Sequence, residues 1–280
     1  MEEGLHKWSQ RDLRFVVSTL VPERSDPEHV VGLLEDDEPL LEAMLEDDRL
    51  FQQLMSHEEI FLSISPRLFF QVLLRRARRD LEQELYTVER RQRQKVVLFD
   101  AKEVVELLAR PEISNYLARM LASFTRINSV TIPIRVRPGI WRRLRINDLD
   151  IDSLIGYAET LDERHRFWTY QRIGDACLFL TGIFPEHIET RQRYPLTGQP
   201  RVRLRGSLLH GLEDYESYGR SFYLMAADHP VAELQQLAEV LRMLSRHFIL
   251  AEKPLAFVAE RYLSMRKHHL FAGGSLAAPS

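Results

Sequence analysis

The chain has 280 residues, 45% hydrophobic and 28% charged, with a formal net charge of −3. That length buries a sizeable core as one large domain or two smaller ones, and the composition is that of a globular protein and excludes a disordered polymer. The near-neutral balance gives no global pull toward nucleic acid or an anionic membrane. Charge is nevertheless uneven. Residues 35–48 are strongly acidic, whereas residues 75–93 and 135–145 are strongly basic, an asymmetry that serves a partner or is satisfied within one molecule or dimer. The opening MEEGLHKWSQ lacks the basic and apolar regions of a signal peptide. No apolar run is long enough to span a bilayer, so a cytoplasmic location without membrane contact is expected.

In chain order, Ser9 with Asp12 opens a first helix whose stripe is Leu13, Val16, Val17 and Leu20. Asp26-Pro27, Asp37 with Pro39, and Asp47 or Asp48 open three more short acidic helices. Residues 1–60 therefore read as a cap or subdomain, and 61–270 as the main helical bundle. Ser65-Pro66 starts a long helix expected to run to about Lys95, with Phe69, Leu73, Ala77, Leu81, Leu85 and Val88 on its core face. Arg75, Arg76, Arg78, Arg79, Arg90, Arg91 and Arg93 interleave with that face. They form a solvated row paired with nearby glutamates, or a docking strip for an acidic partner or phosphate. Asp100 caps a helix to Ala109, and Pro111 opens another to Phe124. From Val130 the pattern changes to period two around Pro138-Gly139, which predicts a hairpin near 130–146 with Pro133 on an edge strand. Asp148, Asp150 and Asp152 alternate as in a calcium loop, but the glycine and distal glutamate of such a loop are missing. Capping of a helix over 153–160 accounts for them.

Asp162 to Glu186 is the longest strongly apolar helical pattern, with Phe167, Tyr170, Ile173, Cys177 and Leu180 on one face and Trp168, Ala176, Phe179 and Ile183 widening it. Asp162 is expected to cap it, and Gly182 to end it in a left-handed conformation. Gly174-Asp175 breaks the pattern in mid-helix: glycine costs about 1 kcal/mol there relative to alanine. Gly174 then marks a close helix crossing, and Asp175 either pairs with Arg172 or another arginine, or points into a pocket. The only cysteine, Cys177, lies on the apolar stripe and reads as a core residue. A polar loop with Pro195, Gly198, Pro200 and Gly206 follows. Next comes a helix over 207–227 with Leu208, Leu212, Tyr215, Gly219, Phe222 and Ala226 on one face. Gly219 parallels Gly174, so these two helices are expected to cross closely, with Tyr215, Tyr218 and Tyr223 near the crossing. Pro230 starts a helix with Leu234, Leu237, Leu241, Leu244 and Phe248 at near-heptad spacing, a bundle face or a dimer contact. Pro254 to His268 forms the last helix, and 271–280 has the composition of a disordered tail.

The run Arg172 to Pro185, R-I-G-D-x-x-L-F-x-x-G-x-F-P, resembles a motif of uncharacterised bacterial helical proteins. Ser65-Pro66-Arg67 with Leu73 to Arg76, and Tyr116-Leu117 to Phe124, are similar to other parts of that group. The resemblance covers most of the chain and implies a bacterial, cytosolic protein; no activity, cofactor or catalytic residue comes with it.

No nucleotide-binding glycine loop, HExxH, paired CxxC or G-x-S-x-G elbow is present. Glu3 with His6 and Asp162 with His165 have the carboxylate–histidine spacing of di-iron bundles, without the further glutamates such a centre needs. Arg242 to His247 fits the loose arginine–histidine pattern of HEPN-type ribonucleases, in which the histidine would act as acid or base and the arginine would bind phosphate across a dimer. Met243 stands where those enzymes usually carry a polar residue. A third candidate is a ligand pocket anchored by Arg172 and Asp175 and lined by Tyr215, Tyr218 and Tyr223. The expectation is an all-α bundle of about ten helices with one hairpin: a cytosolic binding or regulatory module, a homodimer, with no cofactor implied. A HEPN-like ribonuclease and a helical metal enzyme are the alternatives.

Overall fold

A computed structural model describes residues 8–23, 26–57, 59–84, 86–91, 94–98, 100–126, 129–137, 140–191, 211–264 and 266–271. The fold is all-α with short antiparallel hairpins, and the chain forms two compact units, residues 1–122 and 123–280. The division falls inside a helix rather than near residue 60. The reason is visible in the first unit, where the acidic helices pack on the long basic one.

Unit 1 begins with α1 (Gln10–Leu20), α2 (Pro27–Asp36), α3 (Glu38–Leu45) and α4 (Asp48–Ser56). Each starts where the sequence signals it. The side chains of Ser9, Asp26, Asp37 and Asp47 accept from backbone N–H groups of the first turn, satisfying donors that have no partner inside the helix. Leu13, Val16, Val17, Leu50 and Leu54 are buried. Asp12 accepts from the backbone N–H of Ser65 at 2.7 Å, and Arg11 donates to the carbonyls of Phe61, Ser63 and Ile64. These bonds tie α1 to the start of α5 (Pro66–Gln83).

The row of arginines on α5 has its acidic counterpart in the same unit. Arg75 pairs with Glu42, Arg76 with Asp48 and Asp80, Arg78 with Glu46 at 2.6 Å, and Arg79 with Asp48 at 3.0 Å. The Arg75 side chain is only 7% exposed. Burial pulls its pKa down and Glu42 opposes that, so the pair answers a desolvation cost rather than adding a free surface bridge. Asp47 lies at the same corner, paired with Arg49. The hydrogen bond from the Arg49 side chain holds its carboxyl below the ordinary carboxylate value. A depressed folded-state pKa contributes stability above the unfolded value, about 3.9, that is lost as pH falls through the folded one. Asp47→Asn is therefore expected to flatten the fall in melting temperature below about pH 4. Thermal melts in a pH series test this, and an unchanged slope would reject it.

The long helix stops twelve residues short of the expected Lys95, at Gln83. Beyond it β1 (Thr87–Arg91) pairs antiparallel with β2 (Gln94–Leu98), Val88 opposite Val97. The T-V-E-R-R and Q-K-V-V-L stretches each carry β-branched residues, which suit a pleated ribbon. Helix α6 (Ala101–Leu108) follows, and the unit ends at Ala122, within helix α7 (Pro111–Phe124).

In unit 2, β3 (Ser129–Arg137) and β4 (Ile140–Asn147) form the hairpin expected near 130–146, with Pro133 opposite Arg143 and an irregularity between Arg135 and Arg137. Helix α8 (Ile151–Thr160) and a 3₁₀ turn (Glu163–His165) lead to α9 (Phe167–Ile183). Asp162 makes no capping bond to α9, because the 3₁₀ turn intervenes. Gly182 does not end the helix either. It lies within it, where a methyl group would fall 2.7 Å from Leu255 Cβ. After α10 (Pro185–Arg191), the polar loop with Pro195, Gly198, Pro200 and Gly206, and Leu208 with it, lie outside the described residues. Helix α11 (Leu212–Ala227) then runs beside α9. The helix expected from Pro230 to Phe248 is two: α12 (Pro230–Leu234) and α13 (Ala238–Arg246). Gln236, at φ 55°, turns the chain between them, with the Leu237 N–H donating to the Ala232 carbonyl across the turn. Leu234 is thereby turned outward at 79% exposure, while Leu237, Leu241, Leu244 and Phe248 keep the core face.

The following helix, α14 (Phe248–Arg261), contains Pro254 in its interior instead of starting there. Proline costs about 3 kcal/mol at such a position. Full burial of Phe248, Ala251, Leu255 and Val258 on the same helix offsets that. Helix α15 (Lys267–Leu270) ends beside Phe271, which packs edge-on against Phe179 and Phe184. The tail expected over 271–280 thus begins in the core at Phe271, and 272–280 lie outside the described residues. Among the described residues no helix is long and apolar enough to cross a membrane.

Candidate functional site

The expected crossing of α9 and α11 exists and is reciprocal. A methyl group at Gly174 would sit 2.6 Å from the ring of Tyr223 on α11. One at Gly219 would sit 3.0 Å from Cys177 Cβ on α9 and 2.3 Å from the ring of Phe248 on α14. Position 174 thus meets 223 and 177 meets 219, so the helices run antiparallel and each glycine admits a neighbouring side chain. Tyr223, Phe248 and Cys177 are fully buried. This is why glycine, costly in a helix, is retained at both places.

Asp175 and Tyr223 are brought together: the phenol donates to the carboxylate at 2.9 Å in a buried setting. The expected Arg172–Asp175 pair does not form. Three residues apart on a crowded helix, the two side chains leave in different directions. Arg172 pairs with Asp148 at 2.9 Å, donates to Ser123 at 2.7 Å and lies over the Phe124 ring at 3.8 Å. It ties α9 to Ser123 and Phe124 at the start of unit 2 and to the turn before α8. That gives Asp148 a role other than capping or calcium binding. Tyr215 is buried on α11, and Tyr218 is half-buried and stacks on Phe222, which also meets Tyr170. Of the five proposed pocket residues, the structure therefore joins Asp175 to Tyr223 and sends Arg172 elsewhere.

Sequence reasoning misses two residues here. Glu252 and Lys253 on α14 are 9% and 7% exposed, next to Pro254, which reads in the sequence as a helix start. Glu252 lies close enough to Cys177 to act on it. Burial first, and the Glu252 charge second, push the Cys177 thiol well above its ordinary value. Native protein is therefore expected to resist alkylation of Cys177 at neutral pH, with labelling only on unfolding. Mass spectrometry after iodoacetamide treatment reads this directly, and rapid native labelling would contradict it. Asp175, Tyr223, Glu252 and Lys253 make the junction of α9, α11 and α14 unusually polar for a helical core.

The other candidates are dispersed. Arg242 faces three carboxylates, Asp228 at 3.5 Å and Glu233 and Glu239 each at 3.8 Å. A substrate phosphate at Arg242 would have to displace them. His247 is exposed at the joint of α13 and α14. Asp162, just before the 3₁₀ turn, and His165 within it are exposed, and Glu3 and His6 lie outside the described residues. Among the described residues no three His, Cys, Asp or Glu side chains converge as a metal site would require.

What does stand out on the surface of unit 2 is apolar. Trp168 is 57% exposed, Leu224 47%, Met225 39% and Leu234 79%, with Leu224 one turn before Asp228 on α11. Comparison with protein-family models, curated proteins and solved structures finds no match to this chain.

Proposed function

We propose that this protein is a non-enzymatic, regulatory interaction module that works through the surface of unit 2, as a homodimer in the bacterial cytoplasm. The carrying observation is the exposure of Leu224, Met225 and Leu234 on and beside the α11–α13 face. Large exposed apolar side chains set among charges are the surface chemistry of protein contact. The candidate catalytic pair supports the same reading, since Arg242 is already engaged by three carboxylates. The bacterial and cytoplasmic parts rest on the resemblance of Arg172–Pro185 described above.

Native mass spectrometry of freshly purified protein, compared with its denatured mass, tests the reading. Protein mass alone, as a dimer, is expected; a bare monomer would remove the homodimer from the reading and leave the interaction module. A stoichiometric metal or small molecule lost on denaturation would overturn it in favour of a cofactor enzyme. Cleavage of RNA that is abolished by His247→Ala would overturn it in favour of the ribonuclease.

A further inference from the structure

The α11–α13 face carries a charge pattern that fits a second copy of itself. On α11 and at its C-cap, Arg220, Leu224 and Asp228 follow one another at four-residue spacing, so they share one side of the helix, with Leu224 midway. Helix α13 lies beside it in the opposite direction: Asp228 reaches Arg242, and the Ser245 hydroxyl donates to the Arg220 carbonyl at 2.8 Å. Exposed Glu239 is therefore at the Asp228 end and exposed Arg246 at the Arg220 end. One pole holds Asp228, Glu233 and Glu239 around Arg242. The other holds Arg220 and Arg246. The poles are about 12 Å apart along the helices.

We infer that unit 2 self-associates through this face about a two-fold axis that lies in the contact and crosses both helices at the level of Leu224 and Met243. Such an axis sets Leu224 against its own mate and reverses each helix on its counterpart. Arg220 then meets Asp228 of the partner subunit, and Arg246 meets Glu239 of the partner subunit. A contact of this kind must be self-complementary, and this one is, in both charge and apolar centre. An unrelated acidic or basic partner would match one pole and repel the other. Two helices side by side cover a footprint of about 18 Å by 20 Å, roughly 360 Å² on each copy, below the size of stable interfaces and in the range of weak, transient ones. The dimer is accordingly weak, forming at micromolar concentration.

This inference rests on the interaction-module reading but can fail alone: bare monomer in native mass spectrometry keeps the module and removes this dimer. Sedimentation velocity of the full chain between about 1 and 100 μM is expected to show monomer passing to dimer. Leu224→Asp should abolish the dimer. Arg220→Glu and Asp228→Lys should each weaken it about tenfold, and together restore it to within about threefold, because the swapped charges again face opposites. All three positions are at least partly exposed, and unchanged circular dichroism and melting temperature would show that each variant folds. A monomer at the highest concentration, a dimer indifferent to Leu224→Asp, or a double variant no better than the singles would each overturn the inference.

Discussion

Gly219→Ala is expected to destabilise unit 2 by about 2 kcal/mol, although alanine is the better helix former. The propensity gain is about 1 kcal/mol. Against it, the added methyl group would lie 2.3 Å from two carbons of the Phe248 ring. Phe248 is fully buried and packs against Tyr223 at a ring separation of 6.0 Å, so it has little freedom to withdraw. Overpacking of this kind costs about 1–3 kcal/mol and more where neighbours are fixed. Gly32 supplies the control. It is also inside a helix, but a methyl there meets nothing within 4 Å, so Gly32→Ala should stabilise by up to about 1 kcal/mol. Denaturant unfolding of both variants gives the two signs side by side. A stabilised Gly219→Ala would mean that the crossing is looser than its geometry.

Tyr223→Phe is the second large effect. The ring that fills the space over Gly174 stays, and only the hydroxyl that donates to Asp175 is lost. Asp175 is 7% exposed, so water replaces that donor poorly, and hydrogen bonds to charged groups are worth about 1.5–3 kcal/mol. A loss in that range is expected, against near-neutrality for Tyr218→Phe, whose side chain is half-exposed. Equal effects of the two tyrosine changes would show that the buried bond contributes nothing special.

Several helix starts are legible in the sequence because each rests on a local device: Ser9, Asp26, Asp37 and Ser65 cap within three residues. The glycine crossing is legible because a residue that weakens an apolar helix at mid-length is retained where a larger side chain would not fit. What escapes the sequence depends on distant packing. Pro254 reads as a helix start, yet burial of the flanking α14 residues carries the helix through it. The positive φ at Gln236 has no glycine to announce it, so the Pro230–Phe248 pattern reads as continuous and Leu234 as core. Arg172 and Asp175 share one helix, but the groups that draw them apart, Asp148 and Tyr223, lie 24 and 48 residues away. The buried Glu252 and Lys253 have no local pattern at all. Their burial follows from how α14 docks beside Gly182.

The reciprocal fit of Gly174 to Tyr223, and of Gly219 to Phe248 and Cys177, also bears on how this sequence can drift. None of these positions can change size alone, since each void is shaped by a ring supplied from another helix. A smaller residue at 248 would have to precede alanine at 219, and the intermediate would carry a cavity. Substitutions at these sites should therefore travel in sets, and relatives of this chain are expected to show either both glycines with both rings or neither.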